Sequence, residues 1–470
     1  MSRLNTAQTP IVDAHPLRDE PMPRRRLVFG IVAIALFMAA VDGTIVATAL
    51  TSIQHELGAG IEWSGWTITI YALGQILVMP LAGKISDMYG RRKVFIVAAI
   101  IFTGASLACG IAPNIYVLVA LRGIQAVGGG AFMPSASGIV SDHFGRDRDR
   151  ALGMFSSIFP IGGVVGPILG GVFTTYWSWR GIFLVNVPLG IALIILALIF
   201  VPESNRRPGR KLDFYGVALL GILILAAMFG ITWLGDGTNT VLSPVFLVSE
   251  AIAVIALLMF IRHSRRGESP FIPARLLVGR GFGVMNLLNF LYGAAALGFG
   301  AIVPLYAEDR FNIATLPAGT LLTARAIGMI LVAGLAVMAL RRTGYRLPMV
   351  AGFTVTAIGL VGLTWDPNLL PNYAWLSIAA AVTGIGMGMA TPASNNATMQ
   401  LAPDQVAAVA GLRGMFRQGG SIMAISAATA VVARSGDPGG ALTITFLIFA
   451  GILILSLPLI YLVPEHKGSW

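Results

Sequence analysis

The sequence predicts an all-α polytopic membrane protein: two pseudo-symmetric six-helix bundles, a two-helix insert between them, 14 transmembrane helices in all, and both termini cytoplasmic. Three observations carry that reading. The 470 residues are 56% hydrophobic and only 11% charged, with mean hydropathy +0.80, whereas a soluble domain carries about 25% charged residues. Apolar blocks long enough to cross a bilayer as helices recur along the whole chain. Basic residues gather in alternate loops between those blocks.

The blocks run 27–48, 63–83, 94–112, 115–140, 150–174, 181–201, 214–234, 243–262, 281–305, 316–340, 347–365, 373–396, 405–433 and 441–463. None shows the residue-by-residue alternation of a membrane strand, so each is expected as a helix. Arg24–Arg26, Lys84, Arg91–Lys93, Arg206–Lys211, Arg265, Arg266 and Arg341–Arg346 fall in every second loop, with Arg180, Arg310 and Arg434 as the exceptions. That asymmetry places the basic loops and both termini in the cytoplasm. The net charge of +11 is therefore a topology signal, and no nucleic-acid partner is expected.

Arg24–Arg26, the apolar run and Ala47-Thr48-Ala49 imitate a cleavable signal peptide. The run is too long for one, and Asp42 interrupts it, so an uncleaved first span is expected. Residues 1–26 and 464–470 are expected as cytoplasmic tails, the former disordered.

The chain repeats itself. GGGAFMPSASG (Gly128–Gly138) in the fourth span answers GIGMGMATPAS (Gly384–Ser394) in the twelfth. Gly153-Met154-Phe155 answers Gly414-Met415-Phe416, and ALGQILVMPLAG around Gly74 answers AIGMILVAGLAV around Gly328. An ordered series of matches divides the chain into bundles at 27–201 and 281–463, joined by a linker with two extra spans at 202–280. Paired bundles with a midplane site are the plan of many secondary transporters.

Few charges interrupt the spans. Asp42 lies inside FGIVAIALFMAAVDGTIVATAL, where a carboxylate must carry a proton or face a watery cavity. Arg122, in LVALRGIQAVGGG, needs an anionic acceptor, because an unmatched arginine at midplane costs about 2.5–3.5 kcal/mol or more. At ~1.5 Å of rise per residue it sits roughly 10 Å from the outer end of its helix. Asp42 is at a similar depth in the antiparallel first span, so the two are expected partners, either as a structural ion pair or as a functional couple in which proton and substrate compete for Asp42 at the substrate cavity.

Arg325 lies well inside the tenth span; its expected acceptors are backbone carbonyls, Glu308, Asp309 or an anionic substrate group. Asn286, Asn289 and Tyr292 recur at helical spacing on the ninth span and are candidates to line the cavity, as are Asn395 and Asn396; polar contacts between helices would read the same. Glu250, in the inserted hairpin, is read as structural or interfacial. Gly162, Gly166 and Gly170 recur every fourth residue, a face that admits close helix approach, and Pro167 weakens the local backbone bonding.

Several strings resemble one family. Gly83-Lys84-Ile85-Ser86-Asp87-Met88-Tyr89-Gly90-Arg91-Arg92-Lys93 resembles the signature loop of the major facilitator superfamily, in which Gly83, Asp87, Gly90 and Arg91 hold the characteristic spacing. The resemblance implies a latch of Asp87 and Arg91, with Asp142 as the acidic partner. Around Arg122 the chain resembles the arginine motif of proton-coupled facilitators, which implies that Arg122 tunes the protonation of a neighbouring carboxylate; Ala126 stands where glycine is usual. The run Gly162–Gly171 resembles the fifth-span motif of facilitator exporters. Val41–Leu50 and Trp179–Gly190 resemble motifs of the fourteen-span drug:proton antiporters, with Ala47, Thr51 and Gly181 departing from the pattern.

Other chemistry is not supported. There is no GxxxxGK[ST] phosphate loop for ATP, no histidine inside a span core, no cluster with metal-ligand spacing, and a single cysteine, Cys109. An enzyme is not expected, nor any metal or cofactor; the proton gradient is the expected drive. Together the residues and the resemblance imply a proton-coupled antiporter of the inner cell membrane, exporting lipophilic or amphipathic small molecules such as drugs. Its partners would be substrate, protons and lipid, and the sequence leaves a periplasmic partner open. Export of an endogenous lipid, siderophore or metabolite is the alternative, import of a nutrient stands behind it, and a flux-less sensor is a remote one.

Overall fold

The computed structural model describes residues 24–59, 61–203, 213–234, 239–267, 270, 272–279, 281–313, 315–365, 370–403, 405–432, 434–463 and 465. Most of the expected tails and the basic stretch Arg206–Lys211 lie outside the described residues.

Among the described residues the regular elements are all helical: α1 (Arg25–Glu56), α2 (Ile61–Tyr89), α3 (Arg91–Gly110), α4 (Ile115–Phe144), α5 (Arg148–Tyr176), α6 (Gly181–Leu184), α7 (Asn186–Phe200), α8 (Phe214–Leu234), α9 (Pro244–Arg266), α10 (Ala274–Val278), α11 (Phe282–Tyr292), α12 (Gly298–Phe311), α13 (Thr315–Thr343), α14 (Arg346–Thr364), α15 (Asn372–Gln400), α16 (Val406–Val432) and α17 (Pro438–Ile460). Of these stretches 11 are long and apolar enough to cross a membrane, and Tyr215–Ile231 and Phe282–Ala296 are shorter apolar helices. Large apolar side chains such as Ile199, Leu258 and Leu455 are exposed, as expected where lipid rather than water is the solvent.

Two expected spans depart from a single regular helix. The sixth, 181–201, runs as α6 and α7 through Val185, which keeps helical dihedral angles. The ninth, 281–305, is α11, a π turn at Gly293–Leu297, and α12, which runs on to Phe311. The π turn brings Gly293 onto α16 so closely that a Cβ there would meet the Arg417 carbonyl oxygen at 2.0 Å.

α1–α7 pack chiefly on one another, through α2 with α4, α1 with α5 and α3 with both α4 and α7. α11–α17 repeat the arrangement: α13 with α15, α14 with α15, and α16 with α11 and the π turn. The two groups meet by exchange, α5 against α13 and α15, α16 against α2 and α4. In the repeat α5 corresponds to α16 and α2 to α13, so the seam has the two-fold character of the sequence matches.

Small residues set the spacing at that seam. A Cβ on Gly83 would meet the Ala407 carbonyl at 2.5 Å, and one on Gly411 the Met79 carbonyl at 2.2 Å. On the other side a Cβ on Gly153 would meet Val337 at 2.8 Å. All these approaches lie at the end of the helices that carries the basic loops.

The inserted hairpin also has a place: α8 packs on α9 and touches both α2 and α16. Arg434, after α16, donates to the Leu234 carbonyl at 2.8 Å and ties the end of α8 down. Within the hairpin a Cβ on Gly230 would meet the Glu250 carboxylate at 2.6 Å, so Glu250 of α9 faces α8.

Gly162, Gly166 and Gly170 face α1. Cβ atoms there would meet Ala40 Cβ at 2.4 Å, Thr44 Oγ1 at 2.0 Å and Thr48 Oγ1 at 1.9 Å. Both helices thus present small residues every fourth position, and the backbones come together along the seam. Gly166→Ala is expected to lower stability by about 1–3 kcal/mol, the usual cost of overpacking. Gly171→Ala, where a Cβ finds nothing within 4 Å, is expected to be near neutral. Buried Cys109 provides the readout, because a thiol-reactive dye labels it only on unfolding; equal melting midpoints for the two variants would refute the seam.

Candidate functional site

Asp42 of α1 is completely buried and paired. Its Oδ2 accepts from Arg122 Nη1 at 2.6 Å, and the side chains of Asp42 and Arg122 are 0% and 1% exposed. Oδ1 accepts from Gln125 Nε2 at 2.9 Å and Asn186 Nδ2 at 3.2 Å. Arg122 also donates to Gln125 Oε1 at 2.6 Å and, through Nε, to the Thr67 carbonyl at 3.0 Å. Its guanidinium lies over the Tyr71 ring, 4.0 Å from the centroid. Gln125 in turn donates to Ser106 Oγ at 2.7 Å. One carboxylate thus draws α1, α2, α3, α4 and α7 together. Placing two charges at that depth costs desolvation, which the short charge-assisted bonds offset.

A second cluster lies in the loop after α2. Gly90 takes φ 103°, a backbone conformation natural to glycine, and turns the chain straight into α3. Arg91 then reaches Asp87 at 3.2 Å and Asp142 at 2.5 Å, and donates to the Gly138 carbonyl at 2.6 Å. Asp87 extends across the seam, where its Oδ2 accepts from the Ala408 backbone N–H at 3.3 Å in the first turn of α16. An acid at a helix N-terminus is favoured by the macrodipole, so the contact joins the two bundles.

The opposite crossing differs. The loop after α13 has no acid; instead α5 brings Asp149 in its own first turn. Asp149 accepts from Gln400 at 2.9 Å and the Tyr345 phenol at 3.4 Å, and its backbone carbonyl accepts from Asn396 at 2.8 Å. Burial, and then the Asp149 charge, push the Tyr345 pKa above its ordinary value, so the phenol stays protonated as a donor.

Between the bundles lies a cavity of about 250 Å³. Arg325 of α13 and Tyr292 at the end of α11 line it, and Thr44 of α1 and Asn395 of α15 contribute to its wall. Tyr292 is fixed by stacking on Phe353 at 5.0 Å between centroids and by a 3.0 Å bond to Thr391.

Four residues expected in the cavity are elsewhere; one of them, Asn396, donates to the Asp149 carbonyl at 2.8 Å. Asp42 is not among the lining residues, because it points into the cluster of its own bundle; Thr44, about 200° further round the same helix, faces the cavity instead. Asn286 is spent on the Leu276 and Leu277 carbonyls at 2.8 and 3.1 Å, fastening α10 to α11. Asn289 donates to the Met285 carbonyl at 2.7 Å and accepts from Ser394 at 3.2 Å. Both asparagines are polar contacts between elements. Glu308 and Asp309, offered as acceptors for Arg325, do not line the cavity either.

The sequence reading passed over Gln125 and Asn186, which complete the shell of Asp42, and Arg413 and Arg417 of α16, which line the cavity. For the arginines a signal existed: two cations four residues apart within GLRGMFRQGG, with no acid beside them. The glutamine and asparagine carry no comparable mark.

A family model described as Major Facilitator Superfamily matches residues 32–261 and 285–470. The multidrug transporter protein MdtP of Bacillus subtilis (strain 168) is 29% identical over 420 residues, covering 88% of this chain and 76% of its own length. Multidrug resistance protein 3 of the same organism is 31% identical over 368 residues, covering 77% of this chain and 70% of its own. The crystal structure of the human organic anion transporter MFSD10 (TETRAN) superposes with a TM-score of 0.71 at 16% identity, over 93% of this chain and 100% of that one, a likeness of fold. The packed helices and these matches define a multi-pass transporter of the cell membrane rather than an enzyme. The chain belongs to the major facilitator superfamily, and its relatives include multidrug transporters.

Removing one member of a buried pair strands the other, at about 3–5 kcal/mol. Asp42→Asn and Arg122→Gln are each expected to lower the melting midpoint, and the double variant to lose less than the sum of the two. Strict additivity in that cycle would show that the pair is not coupled.

Proposed function

We propose that the protein is a proton-coupled secondary active exporter of amphipathic or lipophilic small molecules, working by alternating access between bundles at 27–201 and 281–463. It crosses the inner membrane fourteen times, with both termini in the cytoplasm as the basic loops imply. The observation that carries this reading is the buried Asp42–Arg122 pair, an ionisable couple of a kind that marks proton pathways inside membranes. The named contacts between bundles lie at the basic end, so this conformer is closed toward the cytoplasm, and Asp87, Gly90, Arg91 and Asp142 serve as its latch.

Protonation of Asp42 neutralises the carboxylate and releases Arg122, Gln125 and Asn186 from it. The change acts on α1, whose Thr44 lies in the cavity wall and whose small residues run along α5 at Gly162, Gly166 and Gly170, beside the helix-weakening Pro167. Proton and cargo are thereby coupled through one helix instead of competing for one atom. Outward release follows protonation, and loss of the proton to the cytoplasm resets the pair. One proton moving down about 100 mV supplies ~2.3 kcal/mol, enough for a roughly fifty-fold gradient of a neutral solute. Efflux of lipophilic compounds is favoured further by the relatives named as multidrug transporter and multidrug resistance proteins.

Asp42→Asn is expected to reach the membrane and to lose pH-driven efflux entirely in proteoliposomes matched for inserted protein. An imposed pH gradient that still drives normal efflux in that variant would remove Asp42 from the mechanism.

A further inference from the structure

The two walls of the central cavity are chemically unlike. On one side α4 and α5 supply Met133, Phe155 and Phe159; on the other, α13 and α16 supply Arg325, Arg413 and Arg417. Among the described residues lining it there is no aspartate or glutamate. Arg413 and Arg417 stand one helical turn apart on α16, and the Tyr292 phenol lines the same cavity. Arg413 is 3% exposed, and its Nε has no hydrogen-bond partner. Asn395 Oδ1, in the same wall, is also unpartnered. The buried acid nearest in sequence to the wall, Asp42, is engaged by Arg122 on the far face of α1.

We propose that this cavity binds an amphipathic organic anion, with its carboxylate, sulfonate or phosphate group held by Arg325, Arg413 and Arg417 and its apolar body against Met133, Phe155 and Phe159. The proposal deepens the export reading by naming the substrate class, and rests on that reading only for the direction of movement. Arg413 and Arg417, one turn apart in a largely apolar enclosure that Arg325 also lines, favour an anion over a neutral or cationic ligand. A planar guanidinium matches the oxygens of carboxylate, sulfonate or phosphate with parallel donors. A cationic ligand would add a further like charge. The Nε of Arg413 is a donor already desolvated and awaiting an acceptor. Because the cations come from one bundle and Met133, Phe155 and Phe159 from the other, an amphiphile held between them spans the interface that moves in alternating access.

The test uses the full chain in phosphatidylcholine nanodiscs and three probes on one skeleton: 1-naphthalenesulfonate, its neutral sulfonamide and 1-naphthylmethylammonium, titrated by calorimetry. The sulfonate is expected to bind about ten-fold more tightly than the sulfonamide, the ammonium most weakly. Arg413→Gln and Arg417→Gln should each cost the sulfonate about ten-fold and leave the sulfonamide unchanged. Arg413→Lys should keep the preference for the anion. If Arg413→Gln fails to fold, Arg417→Gln, at a half-buried position, carries the same test. Equal affinity for the three probes, tighter binding of the ammonium, or glutamine variants that weaken every probe alike would overturn the proposal. Displacement of the sulfonate when phosphatidylglycerol is added to the nanodiscs would identify a lipid headgroup as the anion and support the same site. Sulfonate binding without pH-driven efflux would sink proton-coupled export and leave the cavity assignment standing. Efflux of the neutral or cationic probe without anion preference would do the reverse.

Discussion

The ion pair between Asp42 and Arg122 is the constraint on which the first bundle is organised. Neither charge is tolerable alone at that depth, and neither can be withdrawn without stranding the other. The bonds from Gln125 and Asn186, the Thr67 carbonyl and Ser106 complete the network and draw five helices around one carboxylate. Any change in the protonation of that group is therefore a change in the packing of a whole bundle. That sensitivity is what a coupling site requires, and it arises from ordinary desolvation.

Charge is divided between the halves. The first bundle holds an acid and a base that satisfy each other; the second presents Arg325, Arg413 and Arg417 to the cavity, with no acidic residue among the described residues lining it. The two sites meet through α1, which carries Asp42 on one face and Thr44 on the other. In the proposed mechanism such an arrangement separates the atom that takes the proton from the atoms that hold the cargo. The link between them is the close seam of α1 and α5, where Gly162, Gly166 and Gly170 let the backbones touch and a displacement of one helix is felt by the other.

The two-fold relation between halves is one of backbone, not of chemistry. Across one seam an acid of the loop after α2, Asp87, meets the first turn of α16; across the other, α5 carries its own acid, Asp149, to Tyr345 and Gln400. Both arrangements place a carboxylate at a helix N-terminus, where the peptide dipoles favour it. The second, where Asp149 pairs with its neighbour Arg148 at 3.4 Å and accepts from Gln400 and Tyr345, lacks the Arg91–Asp142 arm of the first. The bundles are thus joined by unequal contacts at the end that carries the basic loops.

Helical character, the repeated halves and the alternate placement of basic loops were legible in the chain, because each depends on periodicity and composition that span many residues. The depths of Asp42 and Arg122 could be counted from span ends, since a helix rises by a fixed step. Which way a polar side chain points could not be counted so. Asn286 and Asn289 shared the spacing of Tyr292, yet only Tyr292 lines the cavity, and Gln125 and Asn186 looked like any isolated amide in a helix. The rotation of each helix about its axis is set by small-residue seams and neighbouring side chains, which are remote in sequence. Local pattern therefore determined what the elements are and how deep their charges lie. Tertiary packing alone decided which charges meet one another and which three face an open space, because that choice is made where helices far apart in the chain come into contact.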